Sequence, residues 1–179
     1  MRRRESSGTS RDPPVNSSPS AVVAALIERG LTVATAESLT GGLVSAALTS
    51  VPGSSETVRG GVVSYASDLK VDLLGVDPDL LAEVGAVDAV VAAQMAEGAA
   101  RLVGADVGLA TTGVAGPGPS DGMPAGTVFV AAHGPWSSGP QTLALHLEGN
   151  RDEVREASVH AVLELLGGLL REDTPSARA

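Results

Sequence analysis

The sequence contains no cysteine and very few aromatic residues. Its 179 residues include one Trp, one Tyr and one Phe. The lack of cysteine excludes disulfides, Cys-ligated zinc and a thiol nucleophile, so covalent catalysis would have to use a hydroxyl or an amine. Apolar residues make up 43% of the chain and aromatic residues only 2%, which predicts a core of closely packed Ala, Val and Leu.

Lysine is almost absent as well. Lys70 is the single lysine, and every other basic residue except the histidines is an arginine. Arginine stays protonated at any relevant pH, whereas a desolvated lysine can lose its proton and act as a base toward a serine hydroxyl. The lone lysine therefore favours a catalytic amine, with a solvated surface side chain as the alternative.

Positive charge and long apolar runs are also scarce. The formal net charge is -9 and the pI is about 4.7, which argues against nucleic-acid or anionic-membrane partners. The basic N-terminus lacks the apolar segment of a secretory signal, and no apolar run is long enough to span a membrane, so we expect a cytoplasmic protein. The histidines at 133, 146 and 160 lack metal-ligand spacing, and no metal site is predicted.

The hydrophobic pattern predicts one domain over residues 19–172. A polar, Pro- and Ser-rich leader at 1–18 and a tail at 173–179 are predicted to be disordered and flexible. Within the domain, helical and strand patterns alternate, which is typical of a layered α/β fold. The predicted helices cover 21–29, a segment from 40 onward, 80–83, 88–103 and 151–170, and 67–74 is predicted to be a short helix or a turn. The predicted strands cover 31–36, 60–66, 107–111, 127–132 and 141–148. Ser20 is the expected cap of the first helix, and Asn150 with Glu153 is predicted to form a capping-box-like pair at the start of the last helix. The segment 141–148 alternates between apolar and polar residues like an edge strand.

Four turns between these elements carry groups suited to hydrolysis of an amide. They are 36–42 at a strand-to-helix turn, 52–55 before the strand leading to Tyr65 and Lys70, the Gly-rich loop 111–118, and 149–151 at the start of the last helix. Hydroxyls, backbone amides and a guanidinium at such turns can bind anions. Taken one by one, each also fits a plain helix cap, a structural turn or a solvated arginine.

In order along the chain, several motifs resemble one family. They read TVATAESLTGG, VPGSS, VVSYASDLKVDLLGV, GAV followed by MAEGA, TTGVAGP, PAGTV and GNRDEVR. They are similar to motifs of the CinA C-terminal domain and its stand-alone relatives, the nicotinamide-nucleotide amidohydrolase (PncC) family, and the resemblance covers about residues 20 to 170. The resemblance implies a three-layer α/β/α sandwich with a mixed sheet.

The resemblance also implies an activity. The family's reaction is metal-independent hydrolysis of the carboxamide of nicotinamide mononucleotide, giving nicotinate mononucleotide and ammonia through a serine activated by lysine, without a cofactor. A homo-oligomer is a further expectation. The alternative is a CinA-like protein associated with competence that binds nucleotides without turnover.

Carried over residue by residue, the resemblance implies roles for particular side chains. Ser55 is predicted to be the nucleophile and Lys70 its general base, with Ser38 as the rival nucleophile. The predicted catalytic residues are Ser55, Lys70, Tyr65 and Thr112, and the predicted substrate-binding residues are Ser38, Glu37, Thr40, Gly41, Gly113 and Arg151.

The chain departs from the family pattern at three positions. Leu39 stands where a cysteine is common, and Asp88 replaces a serine that would also cap a helix. Met123 replaces a lysine, and the preceding loop 119–122 is altered. Met123 and the altered loop 119–122 are the reason to keep the alternative of a CinA-like protein that binds nucleotides without turnover.

Overall fold

The protein folds around one five-stranded mixed sheet. In this computed structural model, residues 17–136 and 139–172 are described. The strand order is β2-β1-β3-β4-β5, in which β1, β2 and β3 are parallel and β4 and β5 continue antiparallel. The strands are β1 (Val33–Glu37), β2 (Val58–Val63), β3 (Val107–Gly113), β4 (Thr127–His133) and β5 (Gln141–His146).

Six helices in the described residues cover both faces of this sheet. They are α1 (Pro19–Arg29), α2 (Leu43–Thr49), α3 (Ser67–Asp72), α4 (Pro78–Val84), α5 (Ala89–Val103) and α6 (Arg151–Glu172). A short 3-10 turn, Ser54–Glu56, precedes β2. All predicted elements are present, and β5 is an edge strand, as its alternating pattern indicated.

Two separate cores confirm the three-layer α/β/α architecture. One core joins α1, α2 and α6 to one face of the sheet through residues such as Leu26, Leu48 and Leu166. The other packs α5 and the segments around α3 and α4 against alanines of the opposite face, among them Ala34 and Ala110. Small strand residues on this second face let α5 approach the sheet closely, as the composition predicted.

Glycine is required where α5 touches its neighbours. A Cβ added at Gly108 in β3 would lie 1.8 Å from the carbonyl oxygen of Ala96 in α5. One added at Gly98 in α5 would lie 2.1 Å from the carbonyl oxygen of Leu74. Both distances are far below contact, so the backbone-to-backbone packing of this layer needs the missing side chains.

The helix caps agree with the sequence pattern except at the first helix. Asn150 caps α6 and its own N–H donates to Glu153, which is the predicted capping box. Asp88 caps α5. For α1 the prediction is wrong: the cap is Ser18, whose hydroxyl accepts from Ala21, because Pro19 already fits the first helical turn.

The described fold includes the last two positions of the predicted leader, 17 and 18. Ser17 is buried and Ser18 caps α1, so these two positions belong to the folded domain. The rest of the leader, 1–16, and the tail, 173–179, lie outside the described residues. Among the helices described, none combines the length and apolar character needed to cross a membrane.

Candidate active site

The site lies where the parallel strands β1, β2 and β3 end. Their carboxyl ends meet at one edge of the sheet, the usual position for ligand sites in open α/β sheets. Four segments converge here, namely the turn after β1, the loop after β2, the end of β3, and the first residues of α6.

A buried carboxylate shapes the turn that carries Ser38. Glu37 is 1% exposed and accepts backbone N–H groups from Gly42, Val44 and Ser45 at 2.8 to 3.0 Å. The Thr40 hydroxyl donates to the same carboxylate at 2.7 Å. Glu37 therefore caps α2 from outside the helix and fixes the path of 38–42, because the N-terminal amides of α2 have no intrahelical partners.

The neighbouring strands hold Ser38 from both sides. Its N–H donates to the carbonyl of Thr111 at the end of β3, and the N–H of Ser64 donates to the carbonyl of Glu37. The Ser38 hydroxyl is thereby presented at the sheet edge with little freedom of the backbone.

Lys70 reaches this hydroxyl from α3. Its amine lies 3.4 Å from Ser38 Oγ, 2.6 Å from the carbonyl oxygen of Ser64 and 3.5 Å from that of Tyr65. Although a lysine is usually charged, Lys70 is 1% exposed and is the largest fully buried side chain among the described residues. No carboxylate lies within ion-pair distance of it among the described residues.

This environment changes the acidity of the amine. Burial removes water from the charged form and lowers the pKa of Lys70 from its ordinary value, while the negative charge of Asp121 raises it to a smaller extent. The net direction is downward, which increases the fraction of neutral amine near neutral pH.

A cavity of about 350 Å³ opens beside the pair. Its wall includes Ser38, Lys70, Thr112, Gly113 and Arg151, and this volume lies in the range of small-molecule sites. Of the ten predicted site residues, the structure brings these five and Tyr65 to one cavity.

Three of these residues make hydrogen bonds that the sequence did not predict. Tyr65 contacts Lys70 through its backbone carbonyl, while its exposed phenol accepts from Arg151 at 3.3 Å. Arg151 also donates to the carbonyl of Gly116, which ties α6 to the Gly-rich loop. The Thr112 hydroxyl donates to the carbonyl of Ala86 and so supports the cavity wall rather than orienting Lys70.

The pairing of Ser55 with Lys70 is contradicted by the structure. Ser55 is exposed in the 3-10 turn before β2, and β2 begins opposite Val33, the first residue of β1. Ser55 therefore lies at the amino end of the parallel strands, whereas Lys70 lies at their carboxyl end. The residue that contacts the amine is the rival candidate, Ser38.

Three predicted substrate-binding residues lie outside the cavity lining. Glu37 and Thr40 are buried and bond each other, and Thr40 shares a 2.7 Å hydrogen bond with Thr111. Gly41 is exposed toward Arg155 of α6 and does not line the cavity. These residues build the turn that holds Ser38 and are not among the residues that line the cavity.

Two parts of the site could not be predicted from the sequence. The carbonyls of Ser64 and Tyr65 bind Lys70 because β2 ends at Val63, three residues before the predicted end. Asp121, in the altered loop, contributes a carboxylate to the cavity wall. In the described part of the chain, no three acidic or histidine side chains cluster as a metal site.

The fold and site define a class of α/β/α protein with a buried lysine and a serine at the carboxyl edge of its sheet. A family profile described as the CinA C-terminal domain matches residues 15–170. The chain belongs to this family.

Similar proteins agree with this assignment. A CinA-like protein of Frankia casuarinae is 46% identical over 149 residues, which is 83% of this chain and 34% of the relative. A putative competence-damage inducible protein of Acetivibrio thermocellus is 48% identical over 75% of this chain and 32% of its own length. The chain thus spans about a third of these longer relatives.

Solved structures match over nearly their whole length. A CinA superfamily protein from Klebsiella pneumoniae 700603 has a TM-score of 0.82 at 33% identity, covering 89% of this chain and 99% of that one. The competence/damage inducible protein CihA from Agrobacterium tumefaciens has a TM-score of 0.79 at 37% identity, covering 91% and 99%. The mixed α/β sheet is shared with these proteins.

Proposed function

We propose that this protein is an amidohydrolase that cleaves the carboxamide of nicotinamide mononucleotide with Ser38 as nucleophile and Lys70 as general base. The observation that carries the proposal is the buried Lys70 amine at 3.4 Å from the Ser38 hydroxyl, on the wall of a cavity. The substrate comes from the family resemblance, and Ser38 takes the role first expected for Ser55.

The contacts of Lys70 suit a neutral amine. A neutral amine has two N–H donors and one lone pair. The two carbonyls, of Ser64 and Tyr65, accept from both donors, and the third neighbour is a hydroxyl, which can donate to the lone pair. This arrangement aims the basic lone pair at the Ser38 proton.

The first half of the reaction forms an ester on Ser38. Lys70 takes the hydroxyl proton as Ser38 Oγ attacks the carboxamide carbon, and the carbonyl oxygen becomes an oxyanion. When the C–N bond breaks, the Lys70 ammonium returns its proton to the leaving nitrogen, which departs as ammonia. The amine is neutral again and the acyl group stays on Ser38.

The second half repeats the proton transfers with water. Water attacks the ester carbon and gives a proton to Lys70, and the ammonium then protonates Ser38 Oγ as the C–O bond breaks. The acid formed gives its proton to the released ammonia, so the products are the pyridine carboxylate, ammonium and free Ser38, and one water is consumed.

The turn after Ser38 offers donors for the oxyanion. The N–H groups of Leu39 and Thr40 donate to no protein acceptor among the described residues, and Leu39 lines the cavity. Each donor aimed at a developing oxyanion contributes about 3 kcal/mol in measured enzymes. At the mouth, the exposed Arg151 guanidinium suits the substrate phosphate.

The test is release of ammonia from nicotinamide mononucleotide by the purified chain, with and without a chelator. We expect equal ammonia and nicotinate mononucleotide in both conditions. Lys70→Ala and Lys70→Arg should each lower the rate by about 10²- to 10⁴-fold, since arginine keeps the charge but cannot act as base.

Two results would overturn the proposal. One is the absence of ammonia from a folded sample. The other is a thermal shift with the mononucleotide but no product, which would support the nucleotide-binding alternative.

A further inference from the structure

The cavity wall contains one negative charge that the proposed mechanism does not use. Its charged lining residues are Lys70, Arg151 and Asp121. Lys70 supplies the base and Arg151 suits the phosphate. Asp121 would repel a phosphate, so its presence in a cavity for an anionic nucleotide needs a separate explanation.

Asp121 is held at the tip of a tight turn. Ser120 and Met123 exchange two backbone hydrogen bonds, at 2.9 and 3.0 Å, on either side of it. Its backbone is left-handed, with φ of 51°, a conformation that Asp and Asn tolerate better than most residues. The turn therefore fixes the residue at the cavity wall, where it also borders a second cavity of about 370 Å³.

The carboxylate of Asp121 has no cationic contact. Within the described residues, no lysine or arginine nitrogen lies within 4.0 Å of it, and no hydrogen bond to its oxygens is present. The negative charge of Asp121 nevertheless acts on the Lys70 amine, whose pKa it raises. The charge is thus available to a ligand whose reacting group lies at Ser38 and Lys70.

The proposed substrate has a positive charge close to its reacting group. In nicotinamide mononucleotide the ring nitrogen bonded to ribose makes the pyridinium cationic, and one ring carbon separates it from the carbon that bears the carboxamide. When the amide lies at Ser38, the cationic ring is next to the wall that carries Asp121. We propose that Asp121 is a specificity-determining residue that favours amides on a cationic ring over the same amides on a neutral ring.

This inference rests on the proposed function and names the substrate class of the same site. The two ends of the substrate then meet opposite charges, with phosphate near Arg151 and pyridinium near Asp121. Asp121 is exposed, so solvent weakens the attraction. We expect a preference of about five-fold, the order given by one pair of unit charges a few ångströms apart in water.

The test compares nicotinamide mononucleotide with its 1,4-dihydro form. Both carry the same amide and phosphate, but the dihydropyridine ring is neutral. Binding is measured by calorimetry at low ionic strength on Ser38→Ala, which prevents turnover, and on the same background with Asp121→Asn or Asp68→Asn. Asp68 borders only the second cavity, so its variant is the matched charge control.

We expect Ser38→Ala to bind the cationic form about five-fold more tightly, and Asp121→Asn alone to abolish this preference. An unchanged preference in Asp121→Asn, or its equal loss in Asp68→Asn, overturns the inference while leaving the proposed function in place. If neither form binds to Ser38→Ala, the proposed function fails together with the inference. Asparagine also tolerates the left-handed backbone at position 121, so Asp121→Asn should fold like the unsubstituted protein.

Discussion

The Lys70 amine and the Ser38 hydroxyl lie 3.4 Å apart, although 32 positions separate them in the chain. Their contact depends on the parallel pairing of β1 with β2, which brings the turn after β1 beside the loop after β2. Ser38 follows the last residue of β1. Lys70 lies in α3, and its amine donates to the carbonyl of Ser64 in the loop after β2. The sheet therefore supplies the geometry, and burial supplies the neutral amine.

The two serines considered as nucleophile give a direct test. We expect Ser38→Ala to reduce ammonia release from nicotinamide mononucleotide by at least about 10⁴-fold, the order seen when a serine nucleophile is removed. Ser55→Ala should stay within two-fold of the unsubstituted protein, because Ser55 is exposed and lies at the other end of the parallel strands. The measurement is an initial rate with coupled detection of ammonia.

Both variants should keep the stability of the unsubstituted protein, which a urea titration checks. A large loss of rate in Ser55→Ala, with Ser38→Ala still active, would restore the original prediction and refute the site described here. Accumulation of an ester on Ser38, detected by intact mass after rapid acid quench, would support the acyl-enzyme directly.

Much of the fold follows from sequence pattern because the period of the apolar residues is local information. The alternating segment 141–148 and the Asn150 to Glu153 spacing correctly predicted an edge strand and a capping box. Ser18 was missed as the cap of α1 because Ser20 is an equally good capping residue. Only the position of Pro19 in the first turn separates the two.

The site was less predictable, because it depends on which strand ends meet. The lone lysine identified Lys70, but spacing along the chain does not reveal that Ser55 precedes β2 and Ser38 follows β1 in the same parallel pair. Glu37 looked like a ligand contact because it is acidic and adjacent to Ser38. Its burial and its bonds to the amides of α2 are tertiary facts that no local pattern contains.

The carboxylate of Glu37 should matter for stability as well as activity. In Glu37→Gln one of the two carboxylate oxygens becomes an NH₂ group, and both oxygens currently accept backbone N–H groups. A donor would then face donors in a buried position. We expect a loss of about 3 kcal/mol in the free energy of unfolding, and reduced activity because the Ser38 turn shifts.

Urea unfolding measures this loss, and Glu56→Gln serves as the control because Glu56 is exposed in the turn before β2. That substitution should change stability by less than about 0.5 kcal/mol. Equal stability of the two glutamine variants would show that Glu37 does not hold the turn.

The pH dependence of kcat/KM should report the ionisation of Lys70. Neutral amine is the active form, so the rate rises with pH and levels off once Lys70 has lost its proton. Burial lowers the pKa of Lys70, so the midpoint should lie below the ordinary value of 10.5.

Removal of the Asp121 charge should shift the midpoint of this pH profile. Its negative charge stabilises the ammonium form and raises the pKa of Lys70, so Asp121→Asn should move the midpoint to lower pH. The rates are measured across a buffer series at constant ionic strength. A midpoint at or above 10.5, or a shift to higher pH in Asp121→Asn, would show that another group controls the rate.

The close packing of α5 predicts opposite effects for two helical glycines. Gly98→Ala places a Cβ 2.1 Å from the carbonyl oxygen of Leu74, so α5 has to move away from the segment after α3. Gly168→Ala in α6 meets only the end of the Arg171 side chain, at 3.8 Å, which is ordinary contact. The same chemical change therefore causes overpacking at Gly98 and makes only ordinary van der Waals contact at Gly168.

We expect Gly98→Ala to lower the free energy of unfolding by about 2–3 kcal/mol. Gly168→Ala should raise it by about 0.5–1 kcal/mol, because alanine loses less backbone entropy in a helix than glycine. Urea titrations of both variants, with the slope of each transition compared, measure the difference. Because α3 carries Lys70, Gly98→Ala should also slow ammonia release, whereas Gly168→Ala should not. Stabilisation by alanine at both positions would mean that α5 does not touch the Leu74 carbonyl, and the close approach of this helix would have to be abandoned.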